Sequence, residues 1–89
     1  MSLTMQKRRP KRTFTVIRES MLLELLRGQK TINKLASSAD VNWKTTQNHL
    51  IYLIGMGYVT EVFNSPYVRI FALTEKGQAY AKQLLEENR

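Results

Sequence analysis

The sequence predicts a small α+β domain with the element order helix, helix, helix, hairpin, helix. Three observations carry this. The 89 residues, 43% hydrophobic and 24% charged, have the composition and length of one globular unit with one core. Apolar residues recur at helical spacing in three stretches before residue 55 and again near the end of the chain. Between them, residues 58–63 and 67–73 are β-branched and aromatic and are separated by Asn64-Ser65-Pro66, the pattern of a hairpin.

Taken in order, residues 1–13 form a flexible basic arm ahead of a domain over 14–89. The arm lacks hydrophobic periodicity, contains Pro10 and crowds Lys7, Arg8, Arg9, Lys11 and Arg12 together. It reads as a follower of a phosphate backbone or a minor groove, with a solubilising tail as the plainer alternative. The first helix, 14–27, carries Phe14, Val16, Ile17, Met21, Leu22, Leu23, Leu25 and Leu26, too many apolar residues for one narrow stripe. It is expected to be buried on more than one side, either by the other helices or by a second copy of the chain. Gly28 stops it, and Gln29 and Lys30 form a short extended link.

Thr31 is the expected N-cap of the second helix, whose buried side is Ile32, Leu35 and Ala36. A break is expected over residues 37–40, with Val41 filling the corner. Asn42 is a strong N-cap for a third helix over 42–54, in which Thr46, His49, Leu50 and Leu53 share the core side. Gly55 and Gly57 close that helix. Thr74 caps the last helix, with Glu75 near its positive end and Tyr80, Ala81, Leu84 and Leu85 as apolar positions.

The formal net charge of +7 makes a polyanionic partner a natural expectation. Five of the 14 Lys and Arg lie in the arm, leaving nine against seven Asp and Glu in the rest, so the body is only mildly basic. With no cysteine there is neither a disulfide nor a thiolate metal site. No apolar run approaches a membrane span and no signal segment follows the basic start, so a cytoplasmic, intracellular protein with no membrane partner is expected. No cofactor and no metal are expected. His49, the single histidine, reads as a packed boundary residue rather than a base or ligand, and no enzyme activity is predicted.

These residues resemble the winged helix-turn-helix DNA-binding proteins, especially small archaeal and MarR- or ArsR-type transcription regulators. The resemblance covers about 16–85. It rests on Thr31, Leu35-Ala36, Val41-Asn42, His49-Leu50, Leu53 and Gly57-Tyr58-Val59 in order, then Phe71-Ala72-Leu73-Thr74-Glu75-Lys76-Gly77 after a hairpin-length gap. It implies a three-helix core with a two-stranded wing and a C-terminal helix. Residues 42–54 would be the recognition helix and 58–73 the wing. Thr46 stands where Val is common, His49 where an aliphatic residue is frequent, and Asp40 where the turn often has Gly.

A recognition helix places donors, acceptors and apolar tips in a major groove. Asn42, Trp43, Lys44, Thr45, Gln47 and Asn48 are the expected contacts: Gln47 and Asn48 suit adenine, and Lys44 suits guanine or phosphate. Trp43 is equally well read as a sugar or thymine-methyl contact and as partial core. In the wing, Asn64, Ser65 and Arg69 are the expected contacts, Arg69 being its one strong cation. Phe14, Ile17, Met21, Tyr80, Leu84 and Leu85 form the expected homodimer interface, which would imply a pseudopalindromic site on double-stranded DNA. The competing readings are a winged-helix protein-interaction module and a nonspecific nucleic-acid or chromosome-binding protein.

Overall fold

In the computed structural model, which describes residues 13–87, every helix starts on a side-chain oxygen. The elements are α1 (Phe14–Leu26), β1 (Lys30–Thr31), α2 (Ile32–Ala39), α3 (Trp43–Gly55), β2 (Val59–Asn64), β3 (Arg69–Leu73) and α4 (Glu75–Glu87). Thr13 and Thr31 Oγ1 accept from the backbone N–H of Val16 and Lys34, and Asn42 Oδ1 accepts from Thr45. Thr74 Oγ1 accepts from Gly77. Each satisfies a backbone donor that the first turn of a helix leaves free.

The helix ends are equally local. At the end of α3 the N–H of Gly57 donates to the Ile54 carbonyl and that of Tyr58 to Leu53, with Gly57 at a φ of +85°. This paired closure needs a left-handed residue. The same closure ends α2, where Asp40 takes the left-handed place at a φ of 58° and Asp40 and Val41 donate to Ser37 and Ala36. The break expected over residues 37–40 is therefore confined to Asp40. Ser37 and Ser38 stay helical, the Ser38 hydroxyl donating to the Lys34 carbonyl at 2.8 Å, and Ala39 is buried.

The hairpin pairs β2 with β3 antiparallel, and the sheet order is β1-β3-β2. The extended link expected at Gln29 and Lys30 becomes a third strand: Lys30 pairs with Phe71 and Thr31 with Ile70. It occupies the edge of β3 that β2 leaves open, whose backbone groups would otherwise be unpaired. Within the hairpin, Glu61 faces Phe71 but Phe63 faces Ile70, so Val62 is an extra residue in a bulge.

The core is one cluster. Met21, Leu22, Leu35, Leu50, Leu53 and Phe71 are almost fully buried at its centre. α1 packs on α2 and α4, and α2 on α3. Along α1 the buried residues are Ile17, Met21, Leu22 and Leu25, with Leu23 and Leu26 half-buried against the core. The helix is thus covered on more than one side, while Phe14 and Val16 remain exposed. Among the described residues no helix is long and apolar enough to cross a membrane.

Candidate nucleic-acid interface

Helix α3 divides as its sequence anticipates: Thr46, His49, Leu50 and Leu53 are buried. Thr46 makes the polar substitution tolerable by donating its hydroxyl to the Asn42 carbonyl at 2.9 Å. His49 is held between helices. Its Nδ1 accepts from Arg18 Nε at 3.1 Å, and the Phe14 ring meets its ring edge-on at 5.1 Å. Arg18 in turn lies 3.6 Å from the centre of the Tyr52 ring. His49 Nε2 is buried without a hydrogen-bond partner among the described residues. Burial, and then the Arg18 charge, hold the His49 pKa below its ordinary value.

The outer side of α3 is polar only in its first half. Lys44 and Asn48 are exposed, Thr45 and Gln47 half-buried. The side chains of Lys44, Gln47 and Asn48 make no hydrogen bond or ion pair among the described residues. Asn42 has spent its side-chain oxygen on the cap. Beyond Asn48 the outer side turns apolar at Ile51 and Ile54, 61% and 39% exposed. Any contact set for a polar surface is therefore concentrated in residues 42–48.

Trp43 is 44% exposed and lines a cleft of about 140 Å³ shared with the wing turn. Ile32, Asn33, Pro66 and Tyr67 also line that cleft.

In the wing the expected contact residues are engaged with Glu61 and with the turn. Arg69 is not a free cation. Its Nε donates to Glu61 Oε2 at 2.7 Å and its Nη2 to Glu61 Oε1 at 3.2 Å, a two-point ion pair. Asn64 Nδ2 donates to the same carboxylate at 2.9 Å. The bulge explains the convergence. Residues three apart on a regular strand face opposite ways, but the extra Val62 returns Asn64 to the side of the sheet that Glu61 shares with Arg69 and Phe71. The hydrogen bond from Arg69 holds the Glu61 carboxyl below the usual range, and the carboxylate raises the Arg69 pKa. Ser65 is also engaged: its Oγ accepts from the N–H groups of Tyr67 and Val68 and closes the turn.

Of the six residues expected at a dimer seam, Ile17, Met21 and Leu84 lie in the core of their own chain. They have the periodicity of interface residues because core and interface draw on the same side chains. Phe14 and Leu85 are 65% and 52% exposed, and Tyr80 is half-buried with its ring stacked on Tyr58 at 4.8 Å. Lys7, Arg8, Arg9, Lys11 and Arg12 lie outside the described residues. Among the described residues no group of three or more His, Cys, Asp or Glu is placed to hold a metal ion.

Comparison with known proteins decides the family, because the winged helix-turn-helix family profile matches residues 11–89. The chain belongs to the winged helix-turn-helix family. No individual curated protein matches it in sequence. Solved structures share its fold. An apo mutant form of Lactococcus lactis ZitR superposes with a TM-score of 0.76 at 22% identity, covering 84% of this chain and 58% of that one. The MarR family transcriptional regulator SPO1453 from Silicibacter pomeroyi gives 0.75 at 24% identity, covering 98% and 59%. Streptococcus pneumoniae FabT, solved in complex with DNA, gives 0.74 at 18% identity, covering 80% and 52%. The chain thus spans between half and three-fifths of the length of these three proteins.

Proposed function

We propose that this winged helix-turn-helix chain is a sequence-specific DNA-binding transcription regulator that places α3 in a major groove. The observation that carries the reading is the set of side chains Lys44, Gln47 and Asn48 on the outer first half of α3, which have no hydrogen bond or ion pair among the described residues, joined by Asn42, Trp43 and Thr45. Side chains at the start of such a helix are those that reach base edges. Gln47 and Asn48 are matched to adenine, and Lys44 to guanine or a phosphate. The likeness of fold to FabT, a protein solved with DNA, and to a MarR family transcriptional regulator supports the reading. No catalytic role is proposed.

The affinity of this site comes from elsewhere. The body is nearly balanced in charge, so the arm cations Lys7, Arg8, Arg9, Lys11 and Arg12 supply the phosphate contacts. A second copy, paired through Phe14, Tyr80 and Leu85, supplies a second recognition helix and a pseudopalindromic double-stranded site. With about five phosphates neutralised per chain, log affinity falls with log salt at a slope of about −4.5.

Selection from random duplexes by the intact chain, by a chain beginning at residue 13, and by the double variant Gln47→Ala, Asn48→Ala tests the reading. A recovered motif that disappears in the double variant is expected. Uniform retention lost only with the arm would make the chain a nonspecific nucleic-acid binder. Exposed Ile51 and Ile54 on the same helix favour a protein-interaction module as the second reading, and failure of every form to retain duplex would select it.

A further inference from the structure

We infer that Tyr67, and not Arg69, is the residue through which the wing meets DNA, packing its ring on the sugar and base edge of the groove beside the recognition helix. The inference rests on the DNA-binding reading above and adds a residue to it. It follows from asking what the wing has left to offer. Arg69 and Asn64 both donate to Glu61, and the Ser65 hydroxyl closes the turn on the N–H groups of Tyr67 and Val68. The polar groups expected to reach a phosphate or base are thus each engaged in part inside the wing.

Tyr67 stands apart from them. It is 92% exposed, the largest exposure among the large hydrophobic side chains described. The turn that carries it is fixed in advance: the Ser65 N–H donates to the Val68 carbonyl at 2.8 Å, Pro66 restricts its own backbone, and Ser65 Oγ takes two further donors. Because the turn backbone is fixed in advance, only the rotamers of the ring itself remain to be ordered when it meets a surface. Tyr67 also lines the same cleft as Trp43, the first residue of α3. A duplex strand passing α3 therefore meets two aromatic side chains, one from the helix and one from the wing. Aromatic and apolar side chains engage sugars and base steps without displacing counterions, so this contact is nonionic.

The nonionic character supplies the test. Binding of the full chain to its selected duplex is followed by fluorescence anisotropy across a salt series, for wild type, Tyr67→Ala, Tyr67→Phe and Glu61→Gln. Tyr67→Ala weakens binding about tenfold at every salt concentration with an unchanged slope, and Tyr67→Phe stays within about twofold of wild type. Glu61→Gln releases Arg69 and steepens the slope by about 0.9, one additional phosphate. Wild-type affinity in Tyr67→Ala overturns the inference. So does a flatter slope in that variant, or a Tyr67→Phe defect equal to that of Tyr67→Ala, either of which makes the contact a phosphate one. An unchanged slope in Glu61→Gln overturns the withholding of Arg69. A wild-type chain that retains no duplex removes the DNA-binding reading together with this one, whereas retention with an indifferent Tyr67 removes this one alone.

Discussion

His49 shows how a single residue couples acidity to the fold. Its side was legible in the sequence, because Thr46, His49, Leu50 and Leu53 recur at helical spacing and all four are buried. Its partner was not, since Arg18 lies 31 positions away and meets it only once α1 crosses α3. The folded chain holds the pKa of this ring below the ordinary 6.5, while the unfolded chain titrates normally. Well above 6.5 neither state is protonated at this ring and its contribution to stability is complete. As pH falls from there toward the folded-state pKa, the unfolded state gains a proton that the folded state refuses, and stability is lost. Thermal melts between about pH 7 and 5 are expected to show this decline in wild type and a shallower one in His49→Leu. The leucine variant removes the unpartnered Nε2 but also the Nδ1 acceptor of Arg18, so at neutral pH its stability should stay within about 1 kcal/mol of wild type.

At the scale of elements, what was readable is what is local. The caps Thr31, Asn42 and Thr74 announce helix starts within three residues of the groups they bind, and all three act as expected. The wing was readable as a hairpin but not in its chemistry. The Glu61 to Arg69 pair depends on a bulge at Val62, and no pattern in the strand marks which residue is extra. β1 escaped for a similar reason: two residues of link become a strand only through register with Phe71 and Ile70. Gly77 belongs here too. The family pattern places a glycine in the first turn of α4, and the fold supplies the cause, since a Cβ there would collide with the Tyr58 carbonyl oxygen at the head of β2. Gly77→Ala is expected to cost about 2 kcal/mol or more, read as a lower midpoint in urea, because the obstacle is backbone and cannot swing aside.

At the scale of the whole molecule, an assembly can use only what the monomer leaves uncovered. Phe14, Tyr80 and Leu85 qualify by position, whereas Ile17, Met21 and Leu84 are already spent. Sequence periodicity could not separate the two groups, since both read as one apolar side. The proposed homodimer predicts a two-chain species in sedimentation at micromolar concentration. Leu85→Glu is expected to shift it to one chain while leaving the melting curve of the subunit nearly unchanged, because the residue is exposed. A wild-type chain that sediments as a monomer with and without DNA would remove the dimer and its pseudopalindromic site together.

One hydroxyl then takes on a wider meaning. Thr74 Oγ1 donates to the Gly57 carbonyl at 2.6 Å while accepting from the Gly77 N–H, and the Thr74 N–H donates to the Tyr58 carbonyl. Lys76 Nζ adds a bond to the Met56 carbonyl. The end of α3, the head of the hairpin and the start of α4 are thereby tied together at one point. In the proposed dimer, a shift of α4 on its partner would bear on the end of α3 through these hydrogen bonds. The spacing of the two recognition helices in that proposed dimer would then follow how α4 seats on its partner.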